Sequence, residues 1–191
     1  MFDDLDKVLL RFANLSEQEL NAVHEKLEIV NISKNEYLVQ DGEIADSIAF
    51  IQSGYLRVCF NHDGDEITRD ITSVNSFITA LTSFITRKPS FEIVKTITDC
   101  ELMIIKRENL NYLYQTYNNW QTIGRRIVEE MFVRSQKRIY SLLTSSAEDR
   151  YKFILEEKPD MLKNIPLQYI ASYLGITSQS LSRLRRNVYK Q

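Results

Sequence analysis

The stretch SIAFIQSGYLRVCFNHDGDEITRDI, Ser47 to Ile71, decides how the first half of the chain folds. Ile48 and Phe50, then Leu56, Val58 and Phe60, fall on one parity with polar residues between them. That is the pattern of strands with one buried face. Ser53-Gly54 cuts the run once, and Asp63-Gly64-Asp65 cuts it again between alternating strands, as in a hairpin. Working outward, Asp41-Gly42 marks an earlier turn, and FEIVKTIT (91–98) and ELMIIK (101–106) supply two more strands. Many short strands at this spacing predict an antiparallel barrel or jelly roll from about Glu28 to Lys106. SFITALTSFITRKPS (76–90) has neither a strand period nor a helix period.

Helical spacing brackets the barrel. Leu5, Val8, Leu9 and Phe12 precede it, and Ser16 with Glu19 forms a capping box ahead of Leu20, Val23 and Leu27. After it, Leu110, Leu113 and Tyr114 suggest one short helix. A long helix then runs from an Asn118-Asn119 cap to about Leu143, with Trp120, Ile123, Gly124, Ile127 and Met131 along it, then Ile139 and Leu142. An apolar stripe of roughly 25 residues is longer than one small barrel face requires. One face is therefore expected on the barrel and another against an identical helix, with Trp120, Ile123, Gly124, Ile127 and Met131 as the dimer-helix residues. Ser145-Ser146 marks a break, followed by a helix over 147–159 capped by Ser145 with Glu148 or by Ser146 with Asp149. Pro159 is expected to end it, with a loop to Pro166. The chain thus divides into a barrel over 1–117, a long helix over 118–144 and an all-α segment over 145–191, an α+β protein overall.

The last segment contains IPLQYIASYLGITSQSLSRLRR, Ile165 to Arg186. Pro166 suits the first turn of a helix, and Gly175 lets the chain leave it at positive φ. Ala171 admits a close second helix, Thr177 caps that helix, and Leu181 and Leu184 form its buried side. The order A-x3-G-x5-L is a helix-turn-helix signature. If the second helix enters a DNA major groove, Ser178, Gln179, Ser182 and Arg183 meet base edges. Thr177, Arg185, Arg186 and Lys190 are then placed to contact phosphates.

A net charge of -2 over 191 residues does not oppose this. Residues 145–191 hold eight Lys/Arg against five Asp/Glu, and residues 1–144 hold sixteen against twenty-one. Phosphate affinity follows the local patch, because screening acts within about 10 Å. Cys59 and Cys100 stand 41 positions apart without ligand spacing, and His24 and His62 lack partners, so no metal, haem or iron-sulfur site is expected. An enzyme of the cupin kind needs clustered His/Glu ligands, which are also missing, so no catalytic residues are assigned. No apolar run reaches membrane length and the start MFDDLDKVLLRF is acidic, so a cytoplasmic protein is expected.

With barrel, long helix and helix-turn-helix in this order, the chain resembles the Crp/Fnr family of bacterial transcription regulators. In YLVQDGEIADSIAFIQSGYLRVCF (37–60), Gly42, Glu43, Asp46, Ser47, Ile51 and Gly54 stand on shared positions. The resemblance implies a dimer on palindromic double-stranded DNA, with RNA polymerase as a further partner, and puts Ser178, Gln179 and Arg183 at the base-contacting positions. Cyclic-nucleotide-binding members hold the ribose with a Gly-Glu pair and the phosphate with an Arg-Ser pair. Here Thr79-Ala80 and Ser90-Phe91 stand in their places, and Arg87 and Lys88 are the nearest cations. Alanine accepts no hydrogen bond and serine neutralises no phosphate, so the pocket is degenerate and cyclic AMP is not expected to bind. An effector of another kind is left open. Five residues follow Arg186, too few for the β hairpin that relatives often add. A second reading is a small-molecule sensor barrel that acts through protein contacts and carries a vestigial helix-turn-helix.

Overall fold

The computed structural model describes residues 1–188, so the expectation for Lys190 lies outside the described residues. Two short helices open the chain, α1 (Asp3–Phe12) and α2 (Glu17–His24). The expected capping box starts the second: Ser16 Oγ accepts from the Glu19 amide, and the Glu19 carboxylate accepts from the Ser16 amide.

Among the described residues, eight strands follow: β1 (Leu27–Ile32), β2 (Tyr37–Val39), β3 (Ser47–Ser53), β4 (Leu56–His62), β5 (Asp65–Thr72), β6 (Phe77–Ile78), β7 (Ile93–Thr96) and β8 (Cys100–Lys106). They form two antiparallel sheets ordered β1-β8-β3-β6 and β2-β7-β4-β5, a jelly roll. The β4-β5 hairpin turns at Gly64 as its sequence predicts, with a register shift between Val58 and Cys59. Ile51, Leu56, Val58, Ile78, Val94 and Leu102 fill the space between the sheets. Cys59 and Cys100 are buried free thiols. The segment that lacked a period holds two elements too short to display one, strand β6 and the helix α3 (Leu81–Thr86).

Gly54 joins β3 to β4 at φ +91°, where a Cβ would meet Cys100 Sγ at 2.6 Å and the Asp99 carbonyl. Left-handed strain and overpacking both act there. Gly54→Ala is expected to cost roughly 2–4 kcal/mol, read as a lower urea midpoint at unchanged slope.

The strict alternation expected over 48–60 does not hold. Ile48 to Ile51 are all buried, and so are Leu56 to Cys59, with Arg57 only 1% exposed. The outer face of β4 is covered by the C-terminal segment, which the local pattern does not reveal.

That segment begins with α4 (Arg107–Thr116) and α5 (Asn118–Thr144). Asn118 and Asn119 do not cap α5; they are its first residues, and Tyr117 precedes them without a side-chain cap. Asn119 instead donates to the Glu19 carboxylate at 3.0 Å, tying α5 to α2. In α6 (Ala147–Glu157) the cap is Ser146 with Asp149. Pro159 opens a further helix, α7 (Pro159–Asn164), in place of the expected loop, because a first helical position has no use for an N–H. The chain continues into α8 (Leu167–Leu174) and α9 (Ser178–Val188), with Pro166 just outside α8.

Trp120, Ile123, Gly124 and Ile127 of α5 are buried, and Met131 is half-buried on the same core as the barrel. A Cβ on Gly124 would strike the Tyr114 ring of α4. Trp120, Ile123, Gly124 and Ile127 therefore face their own subunit, a correction to their assignment as dimer contacts, while Met131 is only partly covered. A second core joins Ile71 and Ile97 of the barrel to Tyr151, Ile154, Ile170, Ala171, Leu174 and Leu181. The second core thus takes two barrel residues along with those after the break at Ser145-Ser146.

Candidate nucleic-acid interface

α8 ends because Gly175 takes φ +70°. Its amide donates to Ser172 O and the Ile176 amide donates to Ala171 O, both at 3.0 Å. This reversal satisfies carbonyls at the end of α8 and starts the next helix within two residues. Thr177 Oγ1 accepts from the Ser180 amide at 3.1 Å, the bond of an N-cap. Leu181 is 1% exposed against Ile170, Ala171 and Leu174, which fixes the rotation of α9 about its axis.

That rotation leaves Ser178, Gln179, Ser182 and Arg183 exposed, Gln179 and Arg183 on the side away from Leu181 and Ser178 and Ser182 on its flank. Arg186 is exposed on the same side one turn later, Arg185 is half-buried at its edge, and Thr177 is exposed at the start. The helix carries no acid. It therefore offers hydroxyl, amide and guanidinium groups outward with no internal carboxylate to neutralise them. Such a face supplies donors and acceptors at base edges and charge at phosphates.

Two sets of contacts hold the pair of helices. Arg150 of α6 donates to Leu174 O through Nε at 3.1 Å and Nη2 at 2.7 Å, and also to Ser145 O and Ser141 O. On the barrel side, Arg57 lies 4.1 Å from the Tyr169 ring centre and is paired with Glu66, and the Thr68 amide donates to Ser172 Oγ at 2.8 Å. Arg138 of α5 stacks 4.0 Å from the Tyr173 ring centre and donates to Arg69 O. Arg134 pairs with the buried Asp70 at 2.9 Å. A guanidinium on an aromatic face keeps its charge while its flat surface is buried, which is how Arg57 is accommodated.

The residues expected at the effector pocket are brought to one end of the barrel, but most are occupied. Thr79 is fully buried and its hydroxyl donates to Ser47 O at 2.8 Å; Ala80 is fully buried beside it. Ser90 is buried, its hydroxyl donates to Glu92 O, and its amide and carbonyl pair with Glu43 O and the Gly42 amide. Arg87 has left-handed backbone, pairs with Asp46 at 2.7 Å and donates to Ala45 O. Lys88 and Phe91 face solvent. The sequence did not single out an internal ion pair, Arg69 with Glu92 at 2.8 Å. Burial pushes the Glu92 carboxyl above its ordinary value, against the pull of Arg69.

Of one more feature, only Ile139 and Leu142 were singled out in the sequence. Val128, Phe132, Ser135, Ile139 and Leu142 recur at steps of 4-3-4-3 along α5, with Phe132 58%, Ile139 47% and Leu142 42% exposed. The signal was available as a coiled-coil spacing.

The chain joins a jelly-roll barrel through a long helix to a helix-turn-helix, a fold similar to that of solved structures of other proteins. Residues 29–117, just under half of the chain, match the model of the cyclic nucleotide-binding domain. Among solved structures, FixK2 from Bradyrhizobium japonicum is similar at 16% identity and TM-score 0.75, covering 86% of this chain and 85% of that one. The c-di-GMP responsive global regulator CLP of Xanthomonas campestris is similar at 17% identity and TM-score 0.70, covering 92% of both chains. A putative transcriptional regulator of the Crp/Fnr family from Eubacterium rectale is similar at 20% identity and TM-score 0.70, covering 91% and 83%. No curated protein matches at a significant level.

Proposed function

We propose that the protein is a transcription regulator that binds palindromic DNA as a dimer through α9. The observation that carries this reading is the exposed, acid-free surface of Ser178, Gln179, Ser182 and Arg183, on a helix whose buried side is locked by Leu181. Gln179 is suited to adenine and Arg183 to guanine, while Thr177, Arg185 and Arg186 are suited to phosphates. The seam Val128, Phe132, Ser135, Ile139 and Leu142 supports pairing of two α5 helices, because exposed apolar side chains at heptad spacing are stable when buried against their own copy. Pairing about a two-fold sets two α9 helices for half-sites one helical turn apart, about 34–36 Å. Selection from random duplexes is expected to enrich a palindrome. Enrichment of no symmetric site counts against the proposal.

The barrel in this reading does not take cyclic AMP. Ala80 offers no acceptor, the Ser90 hydroxyl is spent on Glu92 O, and Arg87 is spent on Asp46 and Ala45 O. Calorimetry with cyclic AMP at millimolar concentration is expected to give no binding heat, and a saturable isotherm would refute this part.

A further inference from the structure

We propose that the cleft between α5, α6 and α8 binds a small molecule carrying an oxyanion on a flat apolar body. The cleft has a volume of about 750 Å³ and opens beside β5. Among the described residues in its lining are five cations, Arg134, Lys137, Arg138, Arg150 and Lys158, and one carboxylate, Asp70. Asp70 is already paired with Arg134. Arg138 is satisfied by a ring face and a backbone carbonyl, and Arg150 by carbonyls, so neither charge is matched by an acid in the cleft. Burial, with repulsion from Arg150, lowers the Arg138 pKa from its ordinary value although Tyr173 and Asp70 pull the other way. A site with this excess of fixed positive charge favours an anion.

The walls define the rest of the ligand. Tyr140 is 69% exposed and Phe153 54% exposed on the two sides of the cleft, and Ile154 and Tyr173 lie deeper. Rings left open to water beside cations suit a flat apolar group, which covers them while its anion meets the guanidinium and ammonium groups. The cleft is not the seam between subunits. At about 100° per residue, Lys137 and Tyr140 lie roughly opposite the line through Val128, Phe132, Ser135, Ile139 and Leu142. It is also not the DNA-facing surface, since no described residue of α9 lines it.

The test uses the full chain and four probes in calorimetry: 1-naphthyl phosphate, 1-naphthoate, 1-naphthol and inorganic phosphate. At least one naphthyl anion is expected to bind tenfold or more tighter than both naphthol and inorganic phosphate, and its identity distinguishes a phosphate from a carboxylate. The double variant Lys137→Glu/Lys158→Glu, both on the exposed rim, is expected to weaken that anion at least tenfold. Lys7→Glu, an exposed residue of α1 outside the lining of the cleft, is expected to leave it unchanged. Should the reversed charges impair folding, Lys137→Gln/Lys158→Gln gives the same reading at smaller amplitude. Naphthol binding as tightly as the anions, inorganic phosphate matching naphthyl phosphate, or unchanged affinity in the rim variants would overturn the proposal. DNA plays no part in these measurements, so their failure is distinct from failure of the regulator reading.

Discussion

A Phe132→Glu chain is expected to sediment as a monomer at concentrations where the parent is a dimer, with its melting behaviour otherwise intact. Phe132 is the central large apolar residue of the α5 seam and is more than half exposed in the single subunit. The subunit's own fold therefore depends little on it. Across a two-fold, the substitution removes two buried phenyl groups, each contributing about 1.5–3 kcal/mol. It also brings two carboxylates together beside an arginine, Arg125, that is already paired with Glu129. The losses sum to roughly 4–6 kcal/mol or more, a weakening of association by about 10³ to 10⁴. Palindromic DNA affinity falls with it, because one subunit reaches only one half-site. A dimer that persists in sedimentation velocity would place the interface elsewhere.

Arg183→Ala is expected to weaken binding to the selected palindrome while leaving the dimer unchanged. A bidentate arginine-guanine pair discriminates by about 1–3 kcal/mol. Both subunits forfeit it, so the total is roughly 2–6 kcal/mol, or about 30-fold to 10⁴-fold. The effect is confined to one base-pair position in each half-site, and competition with single-position variants reads it directly. Arg186→Ala serves as the contrast. It weakens all sequences alike and lowers the slope of log affinity against log salt by about 1 for each phosphate it no longer neutralises. If Arg183→Ala behaves in the same uniform way, Arg183 meets a phosphate and not a base.

Features written in adjacent residues were legible from the sequence alone. The hairpin at Gly64, the box at Ser16 and Glu19, and the exit of α8 through Gly175 each depend on backbone geometry within a few positions. The outward face of α9 follows from Leu181 by helical spacing. What was missed depends on partners far away in sequence. Arg57 sits at a polar-parity position, yet it is buried because Tyr169 of α8 arrives more than a hundred residues later to cover it. Apolarity marks α5 as having faces to bury but does not say which neighbour covers each. Trp120, Ile123 and Ile127 thus read as a seam although the barrel takes them. In the loop around Ser90, the backbone bonds to Gly42 and Glu43 were not legible, since their partners lie nearly fifty residues away.

Arg150 has a consequence for how motion travels. A serine pair between two helical segments normally acts as a swivel that absorbs a twist. Here one guanidinium grips the last carbonyl of α8 together with carbonyls at Ser141 and Ser145. The swivel is welded: the end of the long helix and the corner of the helix pair turn as one piece. A rotation of α5 that keeps these bonds therefore carries the corner of the helix pair with it.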